Sequence, residues 1–320
     1  MKMIDLHCDT IAKLLFDKKA NLKDNEYQVD IKKLKAAESS VQFFALFAPP
    51  MFCEKEGVKA NNQHELVLEM YDVFKREIDY NDDISFAKSY EDIINNEKAN
   101  KISAFLTIEG MGSLESKLDR VKEYYDMGFR LFTLTWNYIN SVGYPNVPDE
   151  NMSKGLTDFG IKVVKKMNEL GILIDVSHLS DQGFWDVIKY SNKPIVASHS
   201  NARALGHHVR NLTDDMLIAL KENGGITGIN FCSAFLTEDT MSKEMYVYQL
   251  VDQIEYIKDL VGIDVIALGT DFDGIGGTLE ISDISKMHLL KDELRKRKFT
   301  EEEIEKIWYK NALRVIKEVL

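Results

Sequence analysis

The 320-residue chain has only three cysteines, Cys8, Cys53 and Cys232. They are far apart, odd in number and without CxxC spacing, which argues against a disulfide scaffold and a thiolate zinc site. No apolar run reaches about 18 residues, so no membrane-spanning helix is expected. The chain opens almost directly on a strand, so no signal peptide is expected and the cytoplasm is the default location. Basic residues are the minority: 40 Lys and Arg against 52 Asp and Glu leave a formal net charge of −12. That argues against a nucleic-acid-binding surface and suits a protein whose site holds cations. There is no internal repeat, low-complexity segment or Pro/Ser-rich linker. The first strand is not followed by a glycine-rich phosphate turn, and the strand interiors hold no lysine for a Schiff base.

What is present is an alternation of short apolar runs with longer amphipathic stretches, the pattern of repeated βα units. Eight strands are expected: the opening stretch from Met3, then 41–47, 102–108, 130–135, 172–177, 194–198, 225–231 and 264–270. Helices are expected over 11–17, 29–38, 62–78, 114–127, 156–170, 180–189, 213–222 and 243–261, with two or three more from Glu280 onward. Gly128 and Gly171 read as helix stops, and Ser180 as an N-cap. Near-continuous apolar strands suit a buried parallel sheet. The count predicts a (β/α)8 TIM-type barrel, one catalytic domain over residues 1–320 with extra C-terminal helices. A doubly wound open sheet is the alternative, but Glu109-Gly110-Met111-Gly112 is not a dinucleotide fingerprint.

Barrel enzymes place their catalytic groups at the C-terminal ends of strands. Here those ends carry His7 and Asp9, Glu109, His178, His199 and Asp271. His7 and Asp9 are two apart on a strand and face one side together. Each residue alone has a plain structural reading. Asp9 can cap a helix, His7 can be a core histidine, His199 can precede a cap, and Asp271-Phe272-Asp273-Gly274 can be a turn. Together, three imidazoles and two or three carboxylates suit zinc or a similar divalent ion. Five ligands exceed one tetrahedral ion and suit two ions sharing a carboxylate. His64 and His288 are expected at the surface, Trp185 and Trp308 in the core, and Asp273 in a turn or supporting role.

The ordered set His7-x-Asp9, Ile108-Glu109-Gly110, Asp175-Val-Ser-His178, Ala197-Ser-His199-Ser, Arg210-Asn211 and Asp271-Phe-Asp273-Gly resembles the renal (membrane) dipeptidase family of zinc metallopeptidases. The resemblance runs from residue 4 to about 275. It implies a metallo-dependent hydrolase-like, amidohydrolase-type barrel that cleaves small dipeptides, including ones with a D-residue on the C-terminal side. It implies two zinc ions, other divalent metals being alternatives: His7 and Asp9 on one, His178 and His199 on the other, Glu109 bridging. A hydroxide between the metals would attack the scissile carbonyl, and Asp271 would take its proton and pass it to the leaving amine. Arg210 would pair with the substrate carboxylate; otherwise it is a surface arginine or bridges to Asp214 or Asp215.

One position departs from the pattern. The family's best-known members carry a histidine at the end of strand four, where this chain has Trp136, followed by Asn137. Indole can donate one hydrogen bond but cannot titrate. The carbonyl-contacting role is thus open among Asn137, His207 and His208, with Trp136 and Asn137 expected to line the substrate site. Eukaryotic members are membrane-anchored and disulfide-bonded; this chain looks like a cytoplasmic bacterial-type relative. Family members are often dimers, so a homodimer is a further implication. Two rival readings remain: an amidohydrolase acting on another amide or a lactone, and a metal-binding barrel without catalysis.

Overall fold

The apolar runs pair in parallel around a closed ring. In the computed structural model, which describes residues 2–320, the barrel strands are β1 (Met3–Cys8), β2 (Ser39–Phe47), β3 (Ile102–Glu109), β4 (Phe129–Thr133), β5 (Leu173–Asp175), β6 (Val196–Ala197), β7 (Ile226–Ile229) and β8 (Ile266–Leu268). Each is hydrogen-bonded to the next, and β8 returns to β1 with Leu268 opposite Asp5. The expected (β/α)8 barrel is present. β5 and β6 are shorter than their apolar runs because side chains take over the pairing beyond them. The backbone N–H groups of Ser177 and Ser198 both donate to Asp175 Oδ1, at 3.0 and 2.8 Å.

Two apolar layers hold the barrel. Between the strands and the outer helices lies the larger core. Inside the lower half of the barrel, Ile4, Leu6, Phe43, Phe105, Leu131 and Leu173 pack against Val315 and Ile316 of the helix Asn311–Val319. Phe43 and Phe105 stack with ring centroids 4.8 Å apart. The last helix therefore plugs the N-terminal mouth and leaves the C-terminal mouth open.

The helices obey their caps. Thr157, Ser180 and Thr213 accept from the backbone N–H groups of Gly160, Gly183 and Met216, each such bond contributing about 1 kcal/mol. Gly171 ends its helix with φ +71°, a conformation that costs other residues more.

Four expectations need correction. The expected helix 114–127 starts only at Asp119, because Glu115 and Ser116 take left-handed φ of +47° and +60°. The expected helix 243–261 starts at Val247, since Glu244–Met245 pairs with Thr278–Leu279 in a small parallel sheet. Trp308 is buried, but Trp185 is 37% exposed. His288 is exposed, whereas His64 is half-buried with Nδ1 2.8 Å from the Tyr124 hydroxyl. Residues 79–101 also hold unforeseen elements: a strand, Ile84–Phe86, beside the start of β3, and a helix, Tyr90–Lys98, capped by Ser89. Among the described residues no helix is long and apolar enough to cross a membrane.

Candidate metal centre

The C-terminal strand ends open into a cavity of about 650 Å3 whose lining includes Asp9, Glu109, His178 and Asp271. The pairing of β1 with β2 slips between Asp5 and Cys8. Leu6 stays in the lower core, while the next residue, His7, reaches the site. Its Nε2 lies 3.2 Å from Asp9 Oδ2 and 3.8 Å from both Glu109 Oε2 and Asp271 Oδ1. Asp9 stands at the N-cap of the helix Thr10–Phe16, but its side chain makes no capping bond. The carboxylate is turned to His7 instead, and its buried Oδ1 has no partner.

Glu109 is the last residue of β3, with its two oxygens facing different imidazoles. Oε2 faces His7, while Oε1 is 3.0 Å from His178 Nε2 and 3.6 Å from His199 Nε2. The two latter nitrogens are themselves 3.1 Å apart. Their partners assign the tautomers. Ser198 Oγ donates to Asp175 Oδ2 at 2.6 Å, so it accepts from His199 Nδ1 at 2.7 Å. Asn137 Oδ1 accepts from His178 Nδ1 at 3.0 Å. Both Nε2 atoms are then lone-pair acceptors, aimed at each other and at a carboxylate oxygen. These acceptors converge unfavourably unless a cation stands between them, either a metal ion or a proton on Glu109.

The electrostatics agree. Burial pushes the Glu109 carboxyl well above its usual range, and Asp9 adds to it. Burial also raises Asp271 to about 6. For His178 and His199, burial first and nearby cations second hold the imidazoles well below the ordinary histidine value, in the neutral form a metal requires. Burial would depress His7 too, but Asp9 and Glu109 outweigh it and raise it to about 10. The donor set of imidazoles and carboxylates therefore fits divalent ions of the zinc class. His7 with Glu109 and His199, and His7 with Asp9 and Asp271, each present ligand atoms within 4.8 Å of one another.

Backbone geometry holds these groups in place. A Cβ on Gly228 or Gly269 would lie 2.0 or 1.8 Å from the Ser198 carbonyl oxygen, so only glycine lets β7 and β8 close under His199. His178 and Asp271 have φ of +67° and +61°, strained values for such residues. Asp271 does open a turn, Gly274 N–H donating to its carbonyl at 3.1 Å. Its side chain is held separately: Asn230 Nδ2 donates to Oδ2 at 2.9 Å. Asp273 lines the same cavity, its carboxylate accepting from Thr10 Oγ1 and the Gln28 N–H, at 2.6 and 2.8 Å.

Arg210 is buried at the cavity wall. Its Nη2 donates to the His199 carbonyl at 3.2 Å, and its Nε has no partner. Among the described residues it makes no ion pair; Asp214 accepts instead from the Tyr256 hydroxyl at 2.8 Å. Trp136 forms a wall, 4.7 Å from the Phe47 ring and 6.2 Å from His178. Asn137 lines the cavity while holding His178, and His208 lines it as well. His207 is exposed and outside the lining. Asp175, beside His178 in sequence, acts as the structural hydrogen bonder its position allowed, whereas sequence reasoning did not foresee the supporting roles of Ser198 and Asn230. The Asp175-Val-Ser-His178 and Ser198-His199 neighbourhoods were the available signal.

All 320 residues match the family model described as membrane dipeptidase, peptidase family M19. The uncharacterized protein in the pqqA 5′ region of Klebsiella pneumoniae is 36% identical over 219 residues, 66% of this chain and 80% of that one. An uncharacterized dipeptidase of Schizosaccharomyces pombe is 30% identical over 333 residues, covering 99% of this chain and 80% of that one. A metallo peptidase from Rhodobacter sphaeroides, liganded with a phosphinate mimic of L-Ala-D-Ala, superposes with a TM-score of 0.92 at 24% identity, covering 100% of this chain and 99% of that one.

Proposed function

This chain belongs to the membrane dipeptidase family of metallopeptidases, and from that premise we propose that it hydrolyses the single peptide bond of small dipeptides at a centre of two zinc ions. The carrying observation is the Glu109 carboxylate, one oxygen toward His7 and the other toward His178 and His199. In this reading His7 and Asp9 would hold one ion and His178 and His199 the other, with Glu109 shared between them. When bound, such a pair activates a water and polarises the scissile carbonyl.

The chain's own residues do the rest. Arg210 offers its uncommitted Nε–H to the substrate's terminal carboxylate, and a guanidinium fork suits that group. Asp271 takes the proton of the attacking water on Oδ1 and returns it to the leaving amine. Asn230 keeps its Oδ2 oriented meanwhile. Trp136 closes the wall and excludes water. Asn137, bound to His178 through Oδ1, keeps its Nδ2 donor for the substrate. A D-residue on the C-terminal side is supported by the mimic bound in the Rhodobacter sphaeroides structure.

The test is metal analysis of the purified chain with a dipeptide panel, with and without chelator. About two metals per chain and chelator-sensitive release of amino acids are expected. Absence of metal-dependent cleavage across the panel overturns the reading. Trp136 keeps a second reading in view, hydrolysis of another amide or a lactone, which cyclic and acylated substrates in the same panel would reveal.

A further inference from the structure

The cavity is not electrostatically uniform. Arg210 enters from the loop after β6, and in a ring of eight strands β6 faces β2. At that opposite end, Lys13 stands on the helix after β1 and Lys55 on the turn after β2, and both line the cavity. Phe16, Phe47 and Phe52 line the cavity as well. Lys55 Nζ lies 4.8 Å from the Phe16 ring centre and 4.6 Å from that of Phe52.

Neither lysine makes an ion pair among the described residues. The cavity's carboxylates make their hydrogen bonds and ion pairs with other groups. Asp9, Glu109 and Asp271 surround His7. Asp273, whose negative form Lys13 favours, is held by Thr10 and Gln28. Two ammonium groups beside an aromatic wall thus stand without an ion pair, Asp273 acting on Lys13 only at longer range, in a chain whose net charge is −12.

A dipeptide whose carboxylate rests on Arg210 and whose carbonyl lies over Glu109 must send its N-terminal residue toward β2. One extended residue spans roughly 3.3–3.6 Å, so that residue is directed along the cavity wall lined by Lys13, Phe47, Phe52 and Lys55. We propose that Lys13 and Lys55 are specificity-determining residues that select dipeptides with an acidic N-terminal side chain, the phenylalanines packing on its methylenes. This rests on the dipeptidase reading above.

The test compares Glu-Ala, Gln-Ala and Lys-Ala on the metal-loaded chain. Glu-Ala is expected to exceed Gln-Ala in kcat/KM by about tenfold, the factor carried by one partly shielded ion pair. In K13M/K55M that ratio falls toward one, and in K13E/K55E Lys-Ala overtakes Glu-Ala. Metal content matching the parent shows that the variants fold. Equal use of Glu-Ala and Gln-Ala by the parent, or an unchanged ratio in K13M/K55M, overturns the proposal. Calorimetric binding of the same peptides to metal-loaded D271N separates the two readings. A Glu-Ala preference in binding, with no dipeptide cleaved by the parent, sinks the dipeptidase reading and leaves the acidic-side-chain site standing.

Discussion

His178 Nε2 and His199 Nε2 face each other at 3.1 Å, and neither carries a proton toward the other. The His199 side of that relationship is enforced from behind: Asp175 accepts from Thr133, Ser177 and Ser198, and Ser198 accepts from His199. Asp175→Asn removes the charge that keeps the Ser198 hydroxyl pointing away. Metal affinity is expected to fall by about 10–100-fold, the usual cost of losing such support. Chelator competition measures it, and parental affinity in a folded variant would count against the tautomer assignment.

Asp271 is predicted to matter for proton transfer more than for holding metal. Asp271→Asn preserves the bond with Asn230 and the turn to Gly274 while removing the base. The expected result is a kcat lower by roughly a hundredfold to ten-thousandfold, with metal content close to parental. Loss of metal in step with activity would move Asp271 into the ligand set.

Metal-free protein should lose stability as pH rises. Burial opposes charge on His7, but Asp9 and Glu109 prevail, so its pKa stands near 10 against an ordinary 6.5. A raised folded value stabilises the fold fully below 6.5, and that contribution is lost as pH rises through 10. Asp271 has the same sign, but its share, complete below 3.8, is gone beyond about 6. The metal-free Tm should therefore fall between about pH 7 and pH 9. Metal competes for the His7 lone pair, so the gap between loaded and metal-free Tm should widen over the same range. A flat metal-free profile would contradict this.

Gly274 touches the site without supplying a ligand. A Cβ there would lie 2.1 Å from Asp9 Oδ2 and 2.7 Å from Asp271 Oδ1. Gly274→Ala is expected to displace Asp9, lowering metal occupancy and activity together. The strain should cost about 1–3 kcal/mol, as overpacking does elsewhere. Metal titration beside thermal melts checks it; full occupancy with unaltered turnover would show that Asp9 can yield.

The legible parts of this protein were those written in contiguous residues. Fully buried parallel strands need unbroken apolar runs, so the eight barrel strands stood out, as did Glu109 and Asp271 where those runs end in charge. Helix caps such as Ser180 declared themselves by residue type. The helix Tyr90–Lys98 did not, because only Ile93 on it is buried and no apolar stripe marks it. Strand Ile84–Phe86 is too short to show an alternation. Asp175 with Ser198, Asn230 with Asp271, and Lys13 with Lys55 act through pairings between elements distant in sequence. Their chemistry appears only once the ring has closed.

The plug formed by Asn311–Val319 sets the order in which the molecule can be finished. Ile4 and Leu6 are made long before Val315 and Ile316 yet share a core with them. The ligands on β1 cannot meet Asp271 until β8 has been made. The barrel therefore closes only once its last strand is available, the long-range closure that folds slowly and invites aggregation. A barrel without that helix would keep its N-terminal mouth unsealed, offering proteases and chaperones an exposed apolar face.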